Sequence, residues 1–128
     1  IEINDVTISG MIDRVEQTPE GEYEVVDFKT GYAYKNKNTI KEDVQMNIYA
    51  LGTEKLYGKL PKKTSLFYIK DNKFVPHFIE KETLDEFTKS LGEKVDNIFD
   101  EKFDAAPEFR KCSRCDYASI CDAKESVN

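Results

Sequence analysis

The sequence lacks the features that would place the protein in a membrane or on a secretory route. No apolar run approaches the roughly 20 residues that span a bilayer. The N-terminus shows no basic and apolar leader, and the first residue is Ile1 rather than an initiator Met. We interpret the chain, with 128 residues of which 39% are hydrophobic, as one domain excised from a longer protein.

Positive charge is also scarce. The chain has 19 basic and 25 acidic residues, for a formal net charge of -6. A protein that grips nucleic acid mainly through released counterions is usually basic, so the balance argues against a stand-alone nucleic-acid binder. It argues less against a catalytic module, because a divalent-metal site needs carboxylates and a partner domain can supply the grip.

The cysteines are few and odd in number, and all three lie near the C-terminus at Cys112, Cys115 and Cys121. Such a set is a poor disulfide framework. It favours metal ligation in a reducing, cytoplasmic compartment.

Strand-like patterns occur in two pairs. Residues 3–16 and 22–29 are predicted strands separated by Thr18-Pro19-Glu20-Gly21, where Pro and Gly favour a turn. Residues 64–69 and 74–79 form a second predicted pair.

Two capping-box patterns predict helices, namely Thr39 with Glu42 and Thr83 with Glu86. The first helix should run to about Tyr57, and both helices are predicted to be amphipathic. The order ββαββα predicts an α/β fold with a small mixed sheet flanked by the two helices. We expect a core at residues 1–106 and a cysteine-rich tail at 107–128.

The most distinctive local pattern is Asp27-Phe28-Lys29 at a strand end. Side chains alternate along a strand, so Asp27 and Lys29 share one face and Phe28 takes the other. Hairpin pairing would bring Asp13 close to Asp27. Two nearby carboxylates repel each other unless a cation lies between them, and their oxygens suit Mg²⁺ or Mn²⁺. The plainer alternative is an ordinary surface ion-pair cluster.

Three further patterns favour the metal site over the plainer alternative. Gly10 to Arg14 places a glycine inside the first predicted strand, which suggests a close backbone approach. Thr30-Gly31 follows Lys29 at the strand end. Gln45 and Tyr49 are four residues apart, so their polar tips share one helix face.

Together these motifs resemble the RecB-like branch of the PD-(D/E)XK nucleases, with its G-x-I-D-R strand, D-x-K-T-G strand end and Q-x-x-x-Y helix. The resemblance covers nearly the whole chain and implies a restriction-endonuclease-like core that cleaves DNA phosphodiester bonds with Mg²⁺ or Mn²⁺. It implies that Asp13, Asp27 and the Phe28 carbonyl hold the metal and that Lys29 is the catalytic lysine. Gln45 and Tyr49 would contact DNA or brace the metal ligands.

The same resemblance sets the expected context. These nucleases are commonly joined to a helicase domain or subunit in repair or recombination. They usually carry a His or Glu metal ligand on a helix before the first strand. Because the chain starts after that position, we expect weak or absent cleavage by this piece alone. His77, the only histidine, matches no family motif and is expected to be a partly exposed strand residue.

The cysteine tail is similar to the C-terminal iron–sulfur segment of RecB-like nucleases. By that resemblance, Cys112, Cys115 and Cys121 are three of the four ligands of a [4Fe–4S] cluster in the parent protein, with the fourth far upstream. We therefore expect no stable cluster in this chain, and a tail that is disordered or loosely packed.

Two other functions remain open at this point. A catalytically inactive nuclease fold could serve as a scaffold for docking DNA or a helicase. The cysteines could instead organise a small structural zinc domain, but then the fold would depend on metal.

Overall fold

A computed structural model describes residues 1–123. Its strands are β1 (Glu2–Ile3), β2 (Val6–Thr7), β3 (Arg14–Gln17), β4 (Tyr23–Lys29), β5 (Lys63–Tyr68) and β6 (Lys73–Phe78). The α-helices are α1 (Val44–Tyr57), α2 (Lys81–Phe99) and α3 (Phe109–Cys112), and a 3₁₀ turn spans Ile40–Glu42. The predicted α/β class with a small mixed sheet is confirmed.

The main sheet has the order β3-β4-β5-β6, in which only β4 and β5 run parallel. Parallel neighbours need a crossover connection, and the segment containing α1 provides it. The inner sheet face, α1 and the 3₁₀ turn share one buried cluster. Its members are Val25, Ile40, Met46, Tyr49, Leu66, Tyr68 and Val75.

The first predicted strand is wrong as a single element, because it breaks into three. Asn4 and Asp5 adopt positive φ angles of 46° and 62°. Ile3 pairs with Val6 across them in a two-residue hairpin turn. Asn and Asp tolerate this left-handed conformation, so they end β1 where the β-forming pattern predicted continuation. The predicted turn before β4 is confirmed, with Gly21 at φ 78°.

Both predicted capping boxes are also wrong. Thr39 precedes only the 3₁₀ turn and caps nothing with its side chain. Asp43 caps α1 instead, since its carboxylate accepts a hydrogen bond from the Met46 N–H at 3.1 Å. Helix α2 begins at Lys81, so Thr83 lies within its first turn. The predicted end of α1 is confirmed, with Gly58 at φ 72°.

The chain divides into two compact units, Ile1–Val95 and Asp96–Asn128. The first contains both sheets and α1, and the second contains α3 and the cysteines. The predicted boundary at residues 106 and 107 stays a prediction, and part of that tail, residues 124–128, lies outside the described residues. Within residues 1–123, no helix is long and apolar enough to cross a membrane.

Candidate active site

Asp27 is a carboxylate buried in the sheet. It lies two residues after Val25 on the inner face of β4, and its partner on β5 is Leu66. Its exposed fraction is only 2%. The alternation of the strand turns Phe28 to the outer face, where its ring packs edge-on against Phe67. The sequence therefore forces a charged group into a position that its neighbours make apolar, so Asp27 needs polar partners.

Lys29 is the first of those partners. Its Nζ lies 2.7 Å from Asp27 Oδ2 and donates to Gln45 Oε1 at 2.8 Å. Partial burial lowers the pKa of Lys29, but the hydrogen bond and negative charge of Asp27 outweigh it. The net pKa lies above the ordinary lysine value, so the side chain is an ammonium at neutral pH.

Gln45 and Tyr49 complete the contacts from α1. Gln45 Nε2 donates to Asp27 Oδ1 at 3.1 Å and to the Tyr49 hydroxyl at 2.8 Å. The Tyr49 hydroxyl donates in turn to the Met11 carbonyl at 2.7 Å. Because Asp43 fixes the start of α1, Gln45 falls in its first turn and Tyr49 one turn later on the same side.

Asp13 reaches the site from the segment just before β3. Arg14 pairs with Val26, so extending the register by one residue places Asp13 opposite Asp27. The exposed Asp13 carboxylate accepts a hydrogen bond from the Phe28 N–H at 2.9 Å through Oδ2. The structure thus brings residues from all three sequence motifs together. We call Asp27, Lys29, Gln45, Tyr49 and the Met11 carbonyl the β4 network.

The oxygen donors suit a hard divalent cation. Asp27 Oδ2 is buried and, among the described residues, has only the Lys29 ammonium beside it. Asp13 adds an exposed carboxylate on the adjoining segment. No group of three or more His, Cys, Asp or Glu residues gathers as a metal site within residues 1–123. Mg²⁺ keeps several waters and is often held by one or two carboxylates, so this pair fits it.

Two groups around the site, the Met11 carbonyl and Lys35, were not predicted from the sequence, and the role of Gly10 was predicted wrongly. The Met11 carbonyl has no sequence signal, because every residue has one. Lys35, which forms an ion pair with the capping residue Asp43, is also absent from the motifs. An Asp directly before a helix was a usable capping signal. Gly10 is outside any strand, and nothing lies within 4 Å of a Cβ placed there, so the predicted close backbone approach is wrong.

The cysteines form no comparable site. All three are free, with Cys112 half-buried and Cys115 and Cys121 exposed. Cys112 ends α3, and its carbonyl accepts from the Cys115 N–H at 3.3 Å in a local turn. Among the described residues, no three thiols assemble as a metal-binding group, so they do not fit a cluster as arranged.

His77 lies outside the β4 network. It is half-buried in β6 opposite Thr64, in agreement with the expectation of a partly exposed strand histidine. Burial lowers the pKa of His77, and the negative charges of Glu80 and Asp43 oppose that shift only in part.

Comparison with known proteins decides the family. Residues 1–122 match the profile of the PD-(D/E)XK nuclease superfamily. The chain belongs to this superfamily. Its mixed sheet with flanking helices is consistent with the superfamily's restriction-endonuclease-like fold, and the superfamily consists generally of nucleases, which supports a hydrolase.

The chain is also similar to two phage proteins. The Gene 69 protein of Mycobacterium phage D29 is 30% identical over 127 residues, which cover 94% of this chain and 45% of that protein. The Gene 69 protein of Mycobacterium phage L5 is 28% identical over 127 residues, covering 94% of this chain and 41% of that protein. The chain therefore spans less than half the length of these relatives.

Proposed function

We propose that the chain is a divalent-metal-dependent DNA nuclease module that hydrolyses phosphodiester bonds. One observation carries the proposal: the β4 network and Asp13 connect three separated sequence motifs at the end of one strand. A surface ion pair would not need a buried carboxylate that has one partner on its own strand and another on helix α1. This supports the metal site over the ion-pair alternative.

The residues that would hold Mg²⁺ or Mn²⁺ are Asp13, Asp27 and the backbone carbonyl of Phe28. When bound, such an ion lowers the pKa of a coordinated water and offsets negative charge on the phosphate. Asp27 is held in place for this role by Gln45 Nε2, while Asp13 is held by the Phe28 N–H.

In the metal-free protein, Asp27 raises the pKa of Lys29, so the side chain is a charged hydrogen-bond donor. Two of its three N–H groups have partners in Asp27 and Gln45. Among the residues that the structure describes, the third has none, and we assign it to the attacking water or to a phosphate oxygen.

Gln45 and Tyr49 are positioning residues in this proposal. Tyr49 is buried, and both of its hydroxyl contacts are to the protein, which supports bracing rather than contact with DNA. By joining Met11 to α1, Tyr49 also fixes the segment that leads to Asp13.

The finer assignments rest on the motifs. We propose the RecB-like branch, with Gly10 to Arg14, Asp27 to Gly31 and Gln45 to Tyr49 as its three signatures. A helicase-linked repair or recombination protein, acting as an exonuclease or endonuclease, is the corresponding setting. A [4Fe–4S] cluster in the parent would draw on Cys112, Cys115 and Cys121 after they rearrange.

The test is Mn²⁺-dependent cleavage of end-labelled DNA by the chain and by the full-length product of its gene. Lys29→Ala is compared with Lys89→Ala, which removes an exposed helix lysine outside the site. Cleavage lost only in Lys29→Ala supports the proposal. A folded full-length protein that binds Mn²⁺ but does not cleave would favour the inactive scaffold for docking DNA or a helicase.

A further inference from the structure

Two exposed tyrosines follow the candidate active site along the chain. Tyr32 is 72% exposed and Tyr34 is 76% exposed, in the loop that begins directly after Lys29. Exposed aromatic rings are common in this chain, so exposure alone needs no explanation, but these two alternate with residues that are held by specific contacts. Neither tyrosine takes part in the β4 network, so the network does not explain why the two rings are presented to solvent.

The loop presents these rings in a defined way. Ala33, between the two tyrosines, packs against the hydrophobic core, and its N–H donates to Asp71 Oδ2 at 2.5 Å. Two residues further on, Lys35 forms its ion pair with Asp43. The Tyr34 ring also meets the buried Tyr68 ring edge-on, with centroids 6.1 Å apart. Anchoring of Ala33 and Lys35 therefore leaves Tyr32 and Tyr34 projecting outward.

One lysine lies beside each of the two rings. Lys70 Nζ lies 5.0 Å from the centroid of Tyr32, and Lys35 Nζ lies 5.9 Å from that of Tyr34. Lys37, Lys70 and Lys73 are exposed, and none has a carboxylate partner among residues 1–123. Residues 29–43 and 68–74 hold six of the 19 basic side chains but only three of the 25 acidic ones. An acidic protein thus has a locally basic surface.

This surface adjoins the candidate active site. Lys29 and Tyr68 are register partners at the ends of the parallel strands β4 and β5, so both following loops leave from the same sheet edge. The Ile69 N–H donates to the Lys29 carbonyl at 3.0 Å, which joins the two loops at that edge. We call Tyr32, Tyr34, Lys37, Lys70 and Lys73 the tyrosine–lysine surface.

We propose that the tyrosine–lysine surface binds single-stranded DNA, with unpaired bases stacked on Tyr32 and Tyr34 and phosphates facing the lysines. Stacking needs free base faces, which a duplex hides, so the surface selects an unpaired strand and leads it towards Asp27 and Lys29. This inference rests on the proposed nuclease function and adds its substrate class.

The test is fluorescence anisotropy of a labelled 12-nucleotide oligothymidine and of a labelled blunt hairpin duplex, measured in EDTA so that no cleavage occurs. Replacing both tyrosines by Ala should weaken oligothymidine binding about 5- to 100-fold for each ring lost. Tyr32→Phe with Tyr34→Phe keeps the rings and should stay within about 3-fold of the wild type. Phe78→Ala removes an aromatic side chain that is 59% exposed at the opposite end of β6 from Lys73, and should have no effect.

Any of three results overturns the inference. These are no binding of oligothymidine by the wild type, binding of oligothymidine by the Ala pair as tight as by the wild type, and loss of duplex binding by the Ala pair by the same factor as oligothymidine binding. Circular dichroism checks that each variant is folded, and the Phe pair gives a second measure if the Ala pair is not.

Failure of this inference is distinguishable from failure of the nuclease proposal. Tyrosine-dependent binding without any Lys29-dependent cleavage would retain the surface and reject the catalysis. Lys29-dependent cleavage of a dinucleotide, with oligothymidine binding independent of both tyrosines, would retain the catalysis and reject the surface.

Discussion

The β4 network and the cysteine segment, residues 112–121, differ in how their chemistry is assembled. The network joins Met11, Asp27 and Tyr49, which are far apart in sequence, through side-chain hydrogen bonds of 2.7–3.1 Å. The cysteine segment places Cys112 and Cys115 close in sequence, but its contacts are short turns within the backbone. The thiols themselves are free.

The contrast shows what each kind of sequence pattern can establish. In the network, burial makes polar partners necessary for Asp27, and strand β4 and helix α1 supply them through Lys29 and Gln45. In the cysteine segment, Cys115 and Cys121 are exposed and water satisfies them, so spacing alone imposes no geometry. A metal or cluster would have to supply the organising energy there. The predictions below test whether the two regions differ in this way.

The largest effect is expected for Lys29→Ala. Removing the ammonium should lower cleavage about 10²- to 10⁴-fold if Lys29 acts on the reacting atoms as proposed. It should also lower the free energy of unfolding by about 1–3 kcal/mol, because Asp27 stays buried without its charged partner. Cleavage assays and urea unfolding measure the two effects.

The double variant Asp27→Asn with Lys29→Ala separates these effects. It removes the buried charge, so stability should recover towards the wild type while cleavage stays lost. If the double variant is as unstable as Lys29→Ala, the ammonium stabilises the fold by something other than its pairing with Asp27.

A smaller effect is expected for Tyr49→Phe. The change removes a hydroxyl that accepts from Gln45 and donates to Met11, so unfolding should cost about 1–2 kcal/mol less. Cleavage should fall about 10-fold through loosened metal ligands, as for other groups that orient a ligand. The decrease should be partly recovered at high Mn²⁺, which a purely structural loss would not show.

Tyr68→Phe is the matched control for that change. Tyr68 is buried more deeply, at 1% exposed against 9% for Tyr49, but its hydroxyl has no hydrogen-bond partner among the described residues. Removing that hydroxyl should not lower stability and should raise it by up to about 1–3 kcal/mol, because an unpaired buried hydroxyl is itself costly. Equal losses in the two variants would mean that the contacts of Tyr49 within the network contribute nothing of their own.

Much of the fold around the candidate site, but not all of it, could be predicted from the sequence. Strand β4 and helix α1 were predictable as elements, and strand alternation places Asp27 and Lys29 on one face. Apolar spacing did not predict the buried face of α1, because Asn47 and Thr53 are buried while Val44 is 44% exposed. The break at Asn4 and Asp5 could not be predicted, because nothing in the strand-like pattern indicates that these two residues adopt left-handed φ angles.

The start of α1 shows a second limit. Thr39 and Asp43 are both suitable capping residues by type. The choice between them depends on the core position of Ile40 and on the ion pair of Asp43 with Lys35, which are tertiary contacts. For the same reason, the motifs name Tyr49 but cannot name the Met11 carbonyl to which it donates.

A modest dependence of the free energy of unfolding on pH is expected from His77 in strand β6. Burial lowers the pKa of His77, so the unfolded chain binds a proton more readily than the folded one. Above about pH 6.5 both states are neutral at this residue, and its contribution is nil. As pH falls from about 6.5 through the lower folded pKa, the free energy of unfolding should decrease, and His77→Gln should flatten this slope. Urea unfolding at pH 7.5, 6.5 and 5.5 gives the slopes, and equal slopes in both proteins would assign the decrease to carboxylates.

The smallest effect is expected in the cysteine segment. Replacing Cys112, Cys115 and Cys121 by Ser should change the unfolding transition of the chain by no more than about 0.5 kcal/mol, because no bond between the thiols is lost. EDTA should be equally without effect in calorimetry. A transition that falls in the Ser variant, and that EDTA lowers in the wild type but not in the Ser variant, would show that metal bound to these thiols stabilises the fold. A transition that holds, beside the loss in Lys29→Ala, would leave the β4 network as the region whose geometry is built by the fold alone.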